Sequence, residues 1–199
     1  MKKSIIGYGG FAKEVYHSIR TSDDTEIEVF FVDDEYYVGL DKTLPLSEFN
    51  EGEYEVIVAI GDPIVRSQIV ERLPKNTKYF THIHKSVIIL GNDVKIGKGS
   101  IICAGSIITS NIEIGNHSQL NLQTTIGHDV VLGDFFTSAP GVKISGNCNI
   151  GKRVYFGTNS CVKQKIKITN DVTIGLNSGV VKNINESGVY VGTPSKKIK

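Results

Sequence analysis

Apolar residues recur at every sixth position through the second half of the chain. All of these positions except Ser138 are apolar: Leu90, Ile96, Ile102, Ile108, Ile114, Leu120, Ile126, Leu132, Ser138, Ile144, Ile150, Phe156, Val162, Ile168, Ile174 and Val180. A period of six fits neither a helix nor hairpin strands that turn signals interrupt. It is typical of hexapeptide repeats, in which each short strand sends one apolar side chain inward. The pattern therefore predicts a parallel β-helix.

Stacking sets the geometry of this predicted β-helix. If three hexapeptides make one triangular coil, residues 18 apart lie above one another, so that Leu90, Ile108 and Ile126 begin one interior column. The run from Leu90 to Val180 then gives about five coils, each stabilised by its neighbours. An antiparallel β-sandwich is the alternative, and it is disfavoured because the phase does not slip by a single residue along this run.

The first eighty residues show a different pattern. Apolar runs predict strands at Ser4–Ile6, Ile27–Val32, Val56–Ile60 and Tyr79–Phe80. Helical spacing of Phe11, Val15 and Ile19 predicts a helix that the polar run Thr21–Asp24 closes, and Asp62 and Pro63 can cap and begin a second helix. We therefore predict a small Rossmann-like parallel α/β domain over residues 1–82 and a β-helix domain over residues 83–199.

The ends of three predicted strands carry candidate ligand groups. They are Gly7–Ala12, Asp33–Asp34 and Gly61–Asp62. Ligands of parallel sheets bind at the carboxyl ends of the strands, where glycines let a phosphate approach backbone N–H groups. Asp33 could accept a hydrogen bond from a ribose hydroxyl or a base edge. The first domain is therefore predicted to bind a nucleotide, and dinucleotide redox chemistry is disfavoured because no second half is present for a nicotinamide.

Composition narrows the partners and the compartment. The formal net charge is +1, and no Lys/Arg block or aromatic ladder points to nucleic acid. Three cysteines cannot pair fully, which favours a reducing cytoplasm. No apolar stretch resembles a signal peptide or a membrane span, so we expect a cytoplasmic protein without a membrane segment.

His128 is the candidate base on the predicted β-helix. It follows Ile126 and Gly127 and should lie near a corner, and the predicted stacking puts Gly146 one coil above it on the same edge. A base beside a bare backbone N–H suits acyl transfer, which needs a proton acceptor and a donor for the developing oxyanion. The alternative is an ordinary surface histidine. A three-histidine zinc site is disfavoured because His117 and His128 are eleven apart and should face differently, so no metal is expected.

Several motifs together resemble one known family. They are Gly7-Tyr8-Gly9-Gly10-Phe11-Ala12, Phe31-Val32-Asp33-Asp34, Ala59-Ile60-Gly61-Asp62 with Arg66, Asn121 through Ile126-Gly127-His128-Asp129, and Gly192-Thr193-Pro194-Ser195-Lys196. The chain resembles the hexapeptide-repeat acyltransferases that carry an N-terminal nucleotide-sugar domain, a group that includes sialic acid O-acetyltransferases and nucleotide-4-amino-sugar N-acetyltransferases. The resemblance implies a left-handed β-helix, a homotrimer, and acetyl-CoA in the groove between neighbouring prisms.

The resemblance also implies roles for individual residues. His128 is the expected general base, Asp129 raises its basicity, and the Gly146 N–H holds the thioester oxygen. Coenzyme A is expected at Thr137, Gly146, Thr158 and Leu176. The nucleotide sugar is expected at Gly10, Phe11, Ala12, Asp33, Asp34 and Gly61, with Arg66 and Asn121 as further substrate contacts. A direct contact between His128 and Asp129 does not follow from the sequence, because consecutive side chains of a strand point oppositely.

The function we expect is acetyl transfer from acetyl-CoA to the 4-amino group of a UDP- or dTDP-linked 4-amino-4,6-dideoxy sugar, for a surface glycan. The alternatives are a sialic acid O-acetyltransferase and a trimeric scaffold that only binds a nucleotide sugar.

Overall fold

A computed structural model describes the protein over residues 1–23 and 25–199, with the backbone alone at residue 23. The polar run predicted to close the first helix therefore lies partly outside the described residues, at Asp24. Among the residues described, no helix combines the length and apolar character needed to cross a lipid bilayer.

A five-stranded parallel sheet forms the N-terminal part. Its elements are β1 Lys2–Ile6, α1 Gly10–Asp23, β2 Ile27–Val32, a 3₁₀ turn Asp34–Tyr36, β3 Thr43–Pro45, a 3₁₀ turn Leu46–Glu48, β4 Tyr54–Val58, α2 Pro63–Arg72 and β5 Lys78–Tyr79. The strand order is β3-β2-β1-β4-β5. The predicted strands and helices are present, while β3 was not predicted from the sequence. The order reverses between β1 and β4, which places a ligand crevice at their carboxyl ends.

Apolar layers cover both faces of this sheet. Ile5 packs with Val15 and Ile19 of α1 on one face, and the next residue, Ile6, packs with Ile69 of α2 on the other. Successive strand residues point to opposite faces, which explains the continuous apolar runs. Asp62 caps α2 as predicted, because its Oδ1 accepts hydrogen bonds from the N–H groups of Ile64 at 2.8 Å and Val65 at 3.0 Å.

Short strands on three faces of a prism form the rest. In chain order they are β6 His82–Ile83, β7 Ile88–Ile89, β8 Lys95–Ile96, β9 Ile101–Ile102, β10 Ile107–Ile108, β11 Glu113–Ile114, β12 Gln119–Leu120, β13 Thr125–Ile126, β14 Val131–Leu132, β15 Thr137–Ser138, β16 Lys143–Ile144, β17 Asn149–Ile150, β18 Tyr155–Phe156, β19 Cys161–Val162, β20 Lys167–Ile168, β21 Val172–Ile174, β22 Gly179–Val180, β23 Gly188–Val191 and β24 Lys196–Lys197. From β6 to β22 every third strand stacks on the same face; β23 then stacks on β21, and β24 pairs with β23 as the one antiparallel strand among those described. We name the faces I, II and III, beginning with those that contain β6, β7 and β8.

The predicted fold class is confirmed: the chain is mainly β, a parallel β-helix preceded by a small α/β unit. Partners in the stack are separated by three full hexapeptides through most of the prism, as Ile108 with Ile126 and Ile126 with Ile144. From β9 to β20 the second residue of each strand points inward, and all of these residues except Ser138 join one continuous apolar core. Ser138 keeps its place in this core because its hydroxyl hydrogen-bonds the Thr124 hydroxyl at 2.9 Å.

The repeat starts earlier than predicted and its phase does slip at that end. Ile89 stacks on Ile108 and Ile83 on Ile102, so each of these pairs is separated by one position more than three hexapeptides. One extra residue therefore lies between Ile89 and Ile96. Leu90, predicted to be the first inward residue, is instead 68% exposed. Residues 88–90 are all apolar, so the hydrophobic pattern of the sequence does not show which of them points inward.

The upper end departs from the repeat by shortening. Tyr190 pairs with Ile174, and Ile184 forms a bridge with Ile168. In both pairs the separation along the sequence is two residues shorter than in the pairs lower in the stack. Face I consequently carries seven parallel strands, more than the about five coils that the sequence suggested.

Corners between the faces have a repeated backbone conformation. The third residue after each inward position has a positive φ: Gly99, Gly105, Asn111, His117, Gln123, Asp129, Phe135, Gly141, Asn147, Arg153, Asn159, Lys165, Asp171 and Asn177. Non-glycine residues adopt this left-handed region with some cost, and Asn and Asp adopt it most readily. Because the coils stack, each edge carries a column of such residues.

Candidate active site

A cavity of about 530 Å³ opens at the carboxyl ends of the N-terminal strands. We call it the sheet-end cavity. Gly7 shapes its floor, because its φ is +112° and an added Cβ would lie 3.0 Å from the Ala59 carbonyl oxygen. Tyr36, Val38 and Leu40 line its mouth with exposed apolar surface. These three were not identified from the sequence, since they lie in an irregular segment with no periodic signal.

The structure brings four of the predicted nucleotide residues to this cavity and leaves two out. Its lining includes Gly10, Phe11, Asp33 and Gly61. Ala12 is fully buried in the core under the sheet, so its side chain cannot reach a ligand there. The expectation for Ala12 stays a prediction, because its backbone N–H lies in the first turn of α1 although its side chain is buried.

Two aspartates at the end of β2 have protein partners. Arg72 donates to Asp33 through Nη1 at 2.6 Å and Nη2 at 3.2 Å, and this pairing holds the pKa of Asp33 below its usual value. Asp34 accepts from the backbone N–H of Ser47 at 3.1 Å and from the Ser47 hydroxyl. Asp34 is absent from the cavity lining and anchors the Ser47 turn, and its expected ligand role stays a prediction.

Arg66, an expected substrate contact, is held inside the protein. It is fully buried, and its guanidinium donates to the carbonyl oxygens of His117, Ile60, Gly61, Phe135 and Phe136 and to Thr137 Oγ1. Burial lowers its pKa to about 9, which still leaves it protonated at neutral pH. The donors of Arg66 are engaged inside the protein, where this side chain joins the N-terminal part to the prism, and its expected contact with substrate stays a prediction.

A second, smaller cavity of about 220 Å³ lies where the N-terminal part meets face I. We call it the junction cavity. Its lining joins predicted substrate residues Phe11, Gly61 and Asn121 with predicted cofactor residues Thr137 and Thr158. Thr137 is buried and its hydroxyl is engaged by Arg66 at 2.7 Å and Gly61 at 3.2 Å. The Thr137 hydroxyl thus bonds across the junction, and the expected contact between Thr137 and coenzyme A stays a prediction.

His128 lies on the edge between faces II and III and is exposed, at 57% of its side-chain surface. Its Nδ1 is 2.6 Å from Oδ2 of Asp129. The contact arises because Asp129 is a corner residue with a φ of +59°, so its side chain turns back toward its neighbour. An ionised carboxylate only accepts hydrogen bonds, so in the neutral imidazole Nδ1 carries the proton and Nε2 has the lone pair. The His128 hydrogen bond is the main cause that lowers the pKa of Asp129.

Gly146 lies directly above the imidazole, as the repeat predicted. A Cβ added to Gly146 would lie 2.7 Å from Nε2 of His128, so only glycine leaves room for the ring in this position. Within the described part of the chain the Gly146 N–H donates to no acceptor, whereas the next residue, Asn147, donates to the His128 carbonyl at 2.8 Å. A lone pair on nitrogen and a free backbone donor therefore share one corner.

The remaining predicted residues lie on a different edge. Asn121, Thr158 and Leu176 belong to the edge between faces I and II, one face away from His128. Thr158 and Leu176 are exposed, whereas Asn121 accepts the Leu122 N–H at 2.7 Å. One chain thus places the imidazole and the two cavities on separate sides of the prism. Among the residues described, no group of three or more His, Cys, Asp or Glu side chains could hold a metal ion.

Comparison with known proteins gives the chain a family context. A family model described as the PglD N-terminal domain matches residues 4–73. GDP-perosamine N-acetyltransferase of Escherichia coli O157:H7 is 30% identical over 110 residues, which cover 55% of this chain and 49% of that protein. The chain therefore spans about half the length of this curated relative, and it spans 29% of the UDP-3-O-acylglucosamine N-acyltransferase of Hahella chejuensis.

Solved structures resemble the chain over its whole length. WeeI from Acinetobacter baumannii AYE is 29% identical with a TM-score of 0.88, and the match covers 100% of both chains. The predicted resemblance to the hexapeptide-repeat acyltransferases is confirmed. PerB from Caulobacter crescentus, solved in complex with CoA and GDP-perosamine, has a TM-score of 0.90 at 24% identity over 100% of this chain and 98% of that chain, which is a likeness of fold.

Proposed function

We propose that the chain is an acetyl-CoA-dependent N-acetyltransferase whose acceptor is the 4-amino group of a nucleotide-linked 4-amino-4,6-dideoxy sugar used in surface glycan synthesis. One observation carries the proposal. The imidazole of His128 has its Nδ1 held by Asp129 and its Nε2 beside the unsubstituted Gly146. A general base next to a free backbone donor is what acyl transfer to an amine requires.

The proposed chemistry uses these groups in one direct transfer. The neutral amine attacks the thioester carbonyl, and its proton passes to Nε2 of His128 as the C–N bond forms. The Gly146 N–H donates to the oxygen that becomes negative, and the C–S bond then breaks to release the thiolate of coenzyme A, which takes up the proton. No covalent enzyme intermediate is needed, because a neutral amine is already a good nucleophile.

We assign the acceptor to the sheet-end cavity and the junction cavity. Backbone N–H groups at Gly10 and the start of α1 suit a diphosphate, and the apolar mouth suits a base. The sequence favoured UDP or dTDP, and the names of the Escherichia coli and Caulobacter relatives add GDP to the bases to be tested. In this proposal residues 1–82 bind the nucleotide sugar and residues 83–199 carry the acetyl transfer.

The proposed assembly is a homotrimer with acetyl-CoA between neighbouring prisms, at Thr158 and Leu176 of one edge and Gly146 of another. Its support is the separation of His128 from both cavities in a single chain. We place the protein in the cytoplasm, because Cys161 is an exposed free thiol and a reducing compartment keeps such a thiol reduced.

The proposal is tested by substrate binding and turnover together. Thermal-shift measurements with UDP, dTDP, GDP and CMP-sialate identify the bound nucleotide, and a free-thiol assay then follows acetyl-CoA with the matching nucleotide-linked amino sugars. We expect stabilisation by UDP, dTDP or GDP and thiol release that depends on the amine. Stabilisation by CMP-sialate alone would favour sialic acid O-acetylation, and no thiol release with any acceptor would leave a binding scaffold.

Replacement of His128 by Ala should lower kcat by roughly 10² to 10⁴, because general-base catalysis contributes about this much. The fold should be unaffected, since the side chain is exposed and packs in no core. His17→Ala is the matched control, because His17 is also exposed but lies on α1. Full activity in the His128 variant would refute the role assigned to it.

A further inference from the structure

The edge that carries His128 contains a column of left-handed corner residues. From bottom to top they are Asn111, Asp129, Asn147 and Lys165, with φ values of +52°, +59°, +59° and +63°. The column stacks one residue per coil, so the side chain of Asn111 comes to lie directly below Asp129. This placement depends on the repeat and not on local sequence, since a full coil of chain separates the two residues.

Asn111 makes a specific contact in this column. Its Nδ2 donates to Oδ1 of Asp129 at 2.6 Å, while Oδ2 of the same carboxylate lies 2.6 Å from Nδ1 of His128. The two oxygens of Asp129 are thus used by two different partners. Hydrogen bonds to an ionised carboxylate are among the stronger ones, and holding one oxygen fixes the rotation of the whole group.

Asn147 does not substitute for this contact from above. Its Nδ2 lies 3.5 Å from Nδ1 of His128, which is too long for a good hydrogen bond. Both atoms are also donors when the Nδ1–H of His128 donates to Asp129. Asp129 is itself exposed, at 42% of its side-chain surface, so nothing buried locks its rotamer. Among the described residues, Asn111 and His128 are the two side chains that hydrogen-bond the Asp129 carboxylate.

We propose that Asn111 is a positioning residue that acts on His128 through Asp129. The amide of Asn111 holds Oδ1, Oδ2 is therefore directed at Nδ1 of His128, and the imidazole is kept in the Nδ1–H form with Nε2 beside Gly146. The expected effect of Asn111 on turnover rests on the proposed acetyl transfer, whereas its effect on the tautomer of the imidazole does not. Asn111 touches neither acetyl-CoA nor the amino sugar in this scheme.

The test compares Asn111→Asp and Asn111→Gly with the wild-type chain. Asn111→Asp keeps the size and tolerates positive φ, but it replaces the donor by an acceptor that repels Asp129; Asn111→Gly keeps the backbone and removes the amide. Gln123→Gly is the control for losing a side chain at such a corner, because Gln123 is exposed with a φ of +58° on the neighbouring edge.

Two measurements are made on each variant. Nitrogen-15 spectra of histidine-labelled protein, with the His128 signal identified by its loss in His128→Ala, should show Nδ1–H in the wild type and in Gln123→Gly, and a loss of that preference in both Asn111 variants. In the thiol-release assay, kcat should fall roughly 10- to 100-fold in both Asn111 variants with KM for both substrates unchanged, since a small misplacement of a catalytic group costs about this much.

The outcomes separate this inference from the proposed function. If the wild-type chain transfers no acetyl group, the proposed function fails and the spectra alone decide the role of Asn111. An unchanged His128 tautomer in both Asn111 variants overturns the inference, and so does an unchanged kcat in an otherwise active enzyme.

Discussion

At the scale of single residues, the candidate site depends on the absence of a side chain at Gly146. The equivalent corner positions in neighbouring coils carry side chains, at Ser110, His128 and Gln164, so the backbone there accepts a Cβ. At Gly146 that space is filled by the imidazole from the coil below, with Nε2 2.7 Å from where the Cβ would be. The glycine is therefore required by the neighbouring ring and not by its own backbone.

Gly146→Ala should consequently lower kcat by roughly 10²-fold, because the methyl group forces the exposed imidazole of His128 away from its position. The melting temperature should stay within a few degrees of the wild type, since the ring can move into solvent. Steady-state kinetics and a thermal melt on the same preparation check both parts. A variant that melts normally and turns over normally would show that the imidazole is not needed at this place.

The residues of the site were only partly predictable. Period-six stacking predicted that Gly146 lies above His128, because that relation needs nothing but the repeat. The contact between His128 and Asp129 was not predictable from strand alternation, because the corner conformation of Asp129 overrides it. A signal was present, however: Asn111, Asp129 and Asn147 recur once per coil, and Asn and Asp are the residues that tolerate positive φ best.

At the scale of elements, the junction between α2 and the prism is the part that sequence patterns missed. The polar core of this junction is Arg66, which lies in a helix yet bonds carbonyl groups from two coils of the prism. Beside it His117 is 4% exposed, stacks on Phe135 with ring centroids 5.3 Å apart and meets the edge of Tyr79 at 4.5 Å. Buried polar contacts of this kind join residues that are far apart in the sequence, so hydrophobic periodicity does not predict them.

Burial of His117 makes the stability of the protein depend on pH. Burial, then the positive charges of Arg66 and Lys98, lower its pKa to about 4. The unfolded chain binds a proton near pH 6.5 while the folded chain binds it only near pH 4, so this contribution to stability is complete above pH 6.5 and is lost as the pH falls toward 4. Between pH 7 and 5 the loss should be about 2 kcal/mol in the free energy of unfolding.

Urea unfolding at pH 7 and pH 5, at fixed protein concentration, measures this loss. The His117→Asn variant tolerates the positive φ and has no titrating ring at this position. It should be less stable than the wild type at pH 7, but its free energy of unfolding should not show the loss of about 2 kcal/mol between pH 7 and 5 that His117 causes. Comparing the two chains cancels the carboxylates, which titrate equally in both. Equal pH dependence in wild type and variant would mean that His117 takes up its proton in the folded state at its ordinary pKa.

At the scale of the whole molecule, one chain does not bring the proposed reactants together. The N-terminal part sits on face I, tied there by Gln119 Nε2 to the Val58 carbonyl at 3.0 Å and by Thr137 to Gly61. His128 is on the edge between faces II and III. A heterologous contact repeated around a threefold axis would place the His128 edge of one protomer against the junction cavity of the next.

The prediction is that two inactive chains restore activity when they assemble together. The first is His128→Ala, which keeps its cavities. The second is Gly61→Phe, which should place a large ring in the space where the ligand is expected without straining the backbone, because Gly61 lines both cavities and an added Cβ there meets nothing within 4 Å. Each variant alone should be nearly inactive. The two are unfolded and refolded together at equal amounts, and each is treated separately as the control.

Random mixing fixes the expected recovery. If each site takes its imidazole from one protomer and its cavities from the next, it is intact only when the Gly61→Phe chain supplies His128 and the His128→Ala chain supplies the cavity, which occurs in about a quarter of the sites. If both parts came from the same chain, no mixture could contain an intact site and activity would stay at the level of the controls. Recovery near a quarter of wild-type kcat therefore supports a shared site, whereas no recovery in a correctly mixed trimer contradicts it.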